Sequence, residues 1–188
     1  MKKKPSWQYD EFKQVGVDYE NQAEVEAYDS RHARFRDVDA ECARILDTLA
    51  VTPQSVVIEL GTGTGAFAIH AARRCADVYA VDVSKPMLEF AQQKAEKAGL
   101  NNITFHHAGF LTYEHTGTRA DALVTSMAFH HLPDVWKGLA LDRMNGMLRP
   151  GGLLYLHDVI FVQADLEANI SRWFDHLEEL GGTQLRHE

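Results

Sequence analysis

Three glycines at alternate positions, Gly61, Gly63 and Gly65, divide the β-branched run Val56-Val57-Ile58-Glu59-Leu60 from a helical pattern of Phe67, Ala68, Ile69, Ala71 and Ala72. A buried strand that stops in so bare a turn and re-enters at once as a helix leaves main-chain N–H groups open, with no Cβ between them and a ligand. The stretch predicts a strand–turn–helix unit that receives a small molecule carrying a nucleoside.

The rest of the chain repeats the alternation. Strands are expected at about 56–60, 78–82, 103–107, 122–126 and 153–161, and helices near 65–75, 86–98, 135–148 and 164–180. An earlier amphipathic helix over 37–50 is carried by Val38, Cys42, Ile45, Leu46 and Leu49. Ser84 and Pro86 form a start signal, Gly99 a stop, and Pro150-Gly151-Gly152 a sharp turn before the last strand. Strands separated by helices pair in parallel through right-handed crossovers, with helices on both faces. The predicted fold is α/β, a doubly wound Rossmann-like parallel sheet whose ligands lie outside the strand C-termini. Residues 1–36 are polar with spaced aromatics (Trp7, Tyr9, Phe12, Tyr19, Tyr28, Phe35) and are expected to form a helical cover over a single domain of 37–188.

At 188 residues the chain suffices for one well-buried domain. A net charge of −8 argues against a general nucleic-acid or anionic-membrane surface, which needs clustered Lys and Arg. No segment approaches the roughly 18 apolar residues of a membrane span, and Lys2-Lys3-Lys4 is not followed by the apolar run of a signal peptide. A cytoplasmic protein is expected, with Cys42 and Cys75 as inert thiols. The ten histidines fall in scattered pairs without metal-ligand spacing, so no metal site is predicted.

Asp82 ends the second strand about 20 residues past the first glycine, where a carboxylate accepts ribose hydroxyls. Gly61-x-Gly63-x-x-Ala66 also satisfies the dinucleotide fingerprint, which keeps a nicotinamide-dependent oxidoreductase as an alternative. Glu59 opposes that alternative: a carboxylate at the mouth of the site repels a pyrophosphate and favours an ammonium or sulfonium group.

Glu59-Leu60-Gly61-Thr62-Gly63-Thr64-Gly65 resembles the first motif of the class I S-adenosylmethionine-dependent methyltransferases, and Asp82 their ribose acid. The stretch from Asp121 through Phe129-His130-His131-Leu132-Pro133-Asp134 is similar to their fourth strand and following loop, and Leu148-Arg149-Pro150-Gly151-Gly152 to the turn entering the fifth. The closest likeness within that family is to its small-molecule, ubiquinone-biosynthesis-type branch. The resemblance implies strand order 3-2-1-4-5, S-adenosylmethionine as cofactor and S-adenosylhomocysteine as product. Glu59, Gly61, Thr62, Gly63 and Gly65 would hold the methionine part, Asp82 the ribose, and Val83, Met87, Gly109 and Phe110 the adenine. Ser126-Met127 would pass beneath the sulfonium, and Tyr19 and Tyr28 would fold over the cofactor, either being equally open to a role as a core aromatic.

Two departures stand out. Relatives often carry an acid for the adenine amino group in a pattern like Gly-Asp-Ala; here the run is His107-Ala108-Gly109-Phe110, leaving a backbone carbonyl or water to serve. About 27 residues follow Phe161, mostly helical in pattern, so the family's sixth and seventh strands are expected to be absent or truncated.

Methyl transfer needs alignment above all, and a base only where the acceptor keeps a proton. His130 is the candidate base, with His131 as a cofactor contact; capping or packing by either histidine is the competing reading. His157-Asp158 is a second candidate pair against a strand-end contact, and His106 and His107 read as satisfied interior histidines. The loop carries Ser126-Met127-Ala128-Phe129 rather than the Asn/Asp-Pro-Pro-aromatic tetrapeptide of nucleic-acid-modifying branches, so a small-molecule acceptor is expected. A non-catalytic cofactor-binding relative is the third alternative. Oligomeric state is left open, a homodimer among the options.

Overall fold

The computed structural model describes residues 5–13, 21–34, 36–159 and 164–181. Helix α1 (Gln22–His32) precedes α2 (Val38–Thr48), and the alternation then runs β1 (Val56–Leu60), α3 (Ala66–Ala72), β2 (Asp77–Asp82), α4 (Lys85–Lys97), β3 (Ile103–His107), β4 (Ala120–Ser126), α5 (Asp134–Met147), β5 (Leu148–His157) and α6 (Leu166–Gly181). All five strands are parallel, in the order β3-β2-β1-β4-β5. This is the doubly wound Rossmann-like sheet expected, with β1 at its centre and β4 beside it across the point where strand order reverses.

The central strands are apolar on both faces because both are covered. Val57, Val78, Ala80, Ala122 and Val124 pack under α2 and α3, where Leu46, Phe67 and Ala68 meet them. Ile58, Leu123 and Val56 turn the other way, toward Ala140, Met144 and Met147 of α5. Ile58 and Leu123 are fully buried, so truncating either to alanine would cost about 2–5 kcal/mol.

Local signals set the helix starts. The Asp37 side chain accepts the N–H of Ala40 at the head of α2, and Ser84 accepts that of Met87 at the head of α4. The expected sharp turn at Pro150-Gly151-Gly152 is instead part of β5, which begins at Leu148: that strand pairs Leu148 with Ala120 and then Leu153 with Ala122, and the surplus residues bulge out of register. The strand ends at His157; of the expected remainder, Ile160 and Phe161 lie outside the described residues. Among the described residues no strand pairs with the outer edge of β5, where Leu153 and Leu154 are exposed. None of the described helices is long and apolar enough to cross a membrane.

Candidate functional site: a cavity over the glycine turn

The C-terminal ends of β1, β2 and β4 open into one cavity of about 230 Å³. Its floor is the glycine turn. Gly61 and Gly63 hold φ of +80° and +52°, which only glycine adopts without strain, and the N–H groups of Gly61 and Thr62 both bond the Val81 carbonyl. A Cβ on Gly61 would collide with Ala128, whereas one on Gly63 would meet nothing within 4 Å. Gly63 is therefore a bare patch of backbone facing open space. Gly65 lies outside the cavity wall; it heads α3 and packs against Ala91 of α4.

Two carboxyls face this floor. Glu59 is buried and accepts the Thr62 hydroxyl at 2.5 Å; burial raises its pKa to about 8, the Thr62 bond opposing and the nearby Asp82 charge adding to the rise. Asp82 accepts the N–H of Gly63 at 2.7 Å on one oxygen and that of Ser84 at 2.8 Å on the other. Its pKa is also raised by burial, with the Ser84 and Gly63 bonds working against the shift. The Val83 N–H adds a third bond, so of the carboxylate's roughly four lone-pair sites about one stays open. The carboxyls thus form an acidic, partly desolvated pair beside exposed backbone.

Val83, Met87, Gly109, Phe110, Ser126, Met127, Tyr28 and His131 all line the cavity. Tyr19 lies outside the described residues. Tyr28 is brought there by α1, which Asp29 fastens to the body: its carboxylate takes the Thr64 hydroxyl and the Lys94 ammonium, both at 2.5 Å.

The histidines divide. His130, the candidate base, is absent from the cavity wall; its Nδ1 lies 2.6 Å from Asp158 Oδ1, and its backbone N–H bonds Asp158 Oδ2. His131 faces the cavity, and burial followed by the neighbouring His130 charge lowers its pKa. His157 and Asp158 do not pair with each other: His157 Nδ1 meets Ser126 Oγ at 3.1 Å, a strand-end contact, while Asp158 serves His130. His107 bonds the Val83 carbonyl, but the expectation of a satisfied His106 fails: its buried Nε2 finds no hydrogen-bond partner among the described residues. Cys42 lines the cavity as a thiol whose pKa burial raises to about 12, well away from the thiolate form. Among the described residues no cluster of metal ligands occurs.

Several wall residues had no signal in the sequence, Lys13, His32 and Arg36 among them, and Glu11 is the most deeply held. Glu11 reaches the cavity from the N-terminal segment, almost fully buried against Leu111 and Thr112. It lies about a hundred residues from its partners, in a polar stretch without periodicity.

A family model described as a methyltransferase domain matches residues 57–152. An uncharacterized methyltransferase of Geobacillus sp. is 32% identical over 163 residues, covering 84% of this chain and 73% of that protein. The solved structure of a candidate S-adenosyl-L-methionine-dependent methyltransferase from Methanococcus maripaludis superposes with a TM-score of 0.67 at 18% identity, over 89% of this chain and 80% of the other. Coclaurine N-methyltransferase, solved with N-methylheliamine and SAH bound, gives a TM-score of 0.55 at 24% identity, over 61% and 34%.

Proposed function

The chain belongs to the class I S-adenosylmethionine-dependent methyltransferases, and from that premise we propose that it methylates a small-molecule acceptor. The observation that carries the site assignment is the pairing of buried Glu59 with Asp82 on either side of the uncovered Gly63 backbone. These residues fit the cofactor: Glu59 suits an ammonium, the acceptor site left open on Asp82 suits a ribose hydroxyl, and Gly63 lets the main chain approach. Val83, Met87 and Phe110 supply apolar surface for a purine. A pyrophosphate would meet two carboxyls here, which disfavours the nicotinamide alternative.

When bound, S-adenosylmethionine supplies an electrophilic methyl on a positively charged sulfur. The protein's part is to align the acceptor and exclude water. Ser126 ends β4 and Met127 follows it; both line the cavity and would stand beneath the bound sulfonium, and Met127 holds φ of +54°, a conformation that the loop must enforce. His131, kept neutral near pH 7 by its lowered pKa, is placed to take a proton from an acceptor that retains one. His130 acts through Asp158, fixing the loop that presents His131.

A net charge of −8 favours a small acceptor over a nucleic acid. The small amine in the coclaurine N-methyltransferase complex is consistent with this reading. A cytoplasmic setting fits the same picture. Calorimetry tests the core of the proposal: micromolar binding of S-adenosylhomocysteine with none of NADH is expected, and the opposite result would overturn it.

A further inference from the structure

The family resemblance implies an acid for the adenine amino group after β3, where this chain has Gly109, and a carboxyl from elsewhere in the chain reaches that place. A Cβ built on Gly109 would collide with the Glu11 carboxylate and stand 2.7 Å from Val83 Cγ1. The Glu11 carboxylate therefore fills the volume that a side chain at 109 would occupy, on the rim next to Val83 and Phe110.

Glu11 is held there from several sides. The Leu111 N–H is shared between its two oxygens, at 3.2 Å to Oε1 and 2.9 Å to Oε2, and the Thr112 hydroxyl donates to Oε1 at 2.6 Å. The same hydroxyl accepts the Gly109 N–H at 2.9 Å, so the loop is shaped around the incoming carboxylate. Neighbours fasten the segment: Phe12 meets the His107 ring at 5.2 Å, Trp7 stacks on Trp136 at 6.1 Å, and Gln8 Nε2 reaches the Leu111 carbonyl at 3.4 Å. A carboxylate has about four lone-pair sites, and the bonds named leave one open on Oε2, the oxygen nearest the vacant side-chain position.

Resting on the cofactor reading above, we infer that Glu11 is the hydrogen-bond acceptor for the adenine amino group, so that the acid of the β3 loop has been relocated to the N-terminal segment. Base discrimination then belongs to residues 5–13, a part of the chain outside the matched methyltransferase domain. An oxygen at the purine 6-position would face the carboxylate as a second acceptor and be rejected.

The test is calorimetric titration with S-adenosylhomocysteine and with S-inosylhomocysteine, which carries oxygen in place of the amino group. Wild type is expected to prefer the adenine form by about tenfold or more. In E11Q the amide oxygen takes Leu111 and Thr112 and turns its NH₂ outward, so the preference should fall to about one or invert. The double variant E11A/G109D, which vacates the volume at position 109 and returns a carboxylate from the β3 side, should regain it. An unchanged ratio in E11Q overturns the inference, whereas failure of wild type to bind either compound overturns the cofactor reading instead. Should E11Q not fold, the wild-type structure with S-adenosylhomocysteine decides: Oε2 within about 3.2 Å of the amino nitrogen supports the assignment, and a separation beyond about 4 Å overturns it.

Discussion

Asp158 grips His130 at two points, taking its backbone N–H at 2.9 Å on one oxygen and standing 2.6 Å from its Nδ1 with the other. The clamp ties the loop after β4 to the end of β5 and orients the adjacent His131 toward the cavity.

Burial would raise the Asp158 pKa, but the His130 bond and the Val159 N–H outweigh it and leave the net value depressed. A depressed carboxyl contributes stability above its ordinary range and loses it as pH falls through the lowered value. D158N should therefore cost about 1–3 kcal/mol at pH 7, with a smaller penalty in acid, as read from denaturant melts at both pH values. H130A should lower turnover with cofactor affinity nearly preserved. Affinity lost at unchanged turnover would instead make His130 a cofactor contact.

Asp82 serves two masters, since its oxygens already hold Gly63 and Ser84. D82A should weaken S-adenosylhomocysteine binding by about 2–4 kcal/mol. D82N keeps an acceptor for one of the two N–H groups and should retain more of the melting temperature. Unchanged affinity in both would remove Asp82 from the site.

Glu59 makes binding pH-dependent. Its pKa near 8 leaves it mostly protonated at pH 7, and an arriving ammonium favours the ionised form. Affinity should rise with pH up to about 8, and binding at pH 7 should release a proton, seen as a dependence of the calorimetric heat on buffer ionisation enthalpy. The raised value also means that the folded protein loses stability as pH climbs from the ordinary carboxyl range through about 8. E59Q should abolish the proton release and melt higher than wild type at pH 9.

Gly61 and Gly63 offer a matched comparison. G61A adds a collision with Ala128 to the cost of a positive φ and should destabilise the fold. G63A meets no neighbour, so it should cost only about 1–2 kcal/mol of stability while weakening cofactor binding by obstructing the bare backbone. Equal binding by G63A and wild type would place the ligand elsewhere.

Much of the fold was legible because its causes are local. Strands apolar on both faces, a serine cap with Pro86, and a glycine turn each act within a few residues, and β1 and β3 match their expected bounds. Pro150-Gly151-Gly152 misled because a bulge and a turn share the same composition; pairing with β4 decides between them. Within the site, residues on strand ends were readable, since β1, β2 and β4 all deliver their last residues to one edge. Which of His130 and His131 faces the cavity was not, because it depends on where Asp158, just past β5, points. Glu11 was beyond reach for the same reason on a longer scale.

The attachment of Asp29 to both Thr64 and Lys94 has a kinetic side. Any opening of the cavity along α1 must release a hydroxyl of the glycine turn and an ammonium of α4 together, while Tyr28 travels with them. Because the Lys94 ammonium and Asp29 are only partly sheltered, added electrolyte loosens that fastening more than the buried carboxyls beneath it. Product residence time, more than equilibrium affinity, is the quantity that ionic strength would govern in this enzyme.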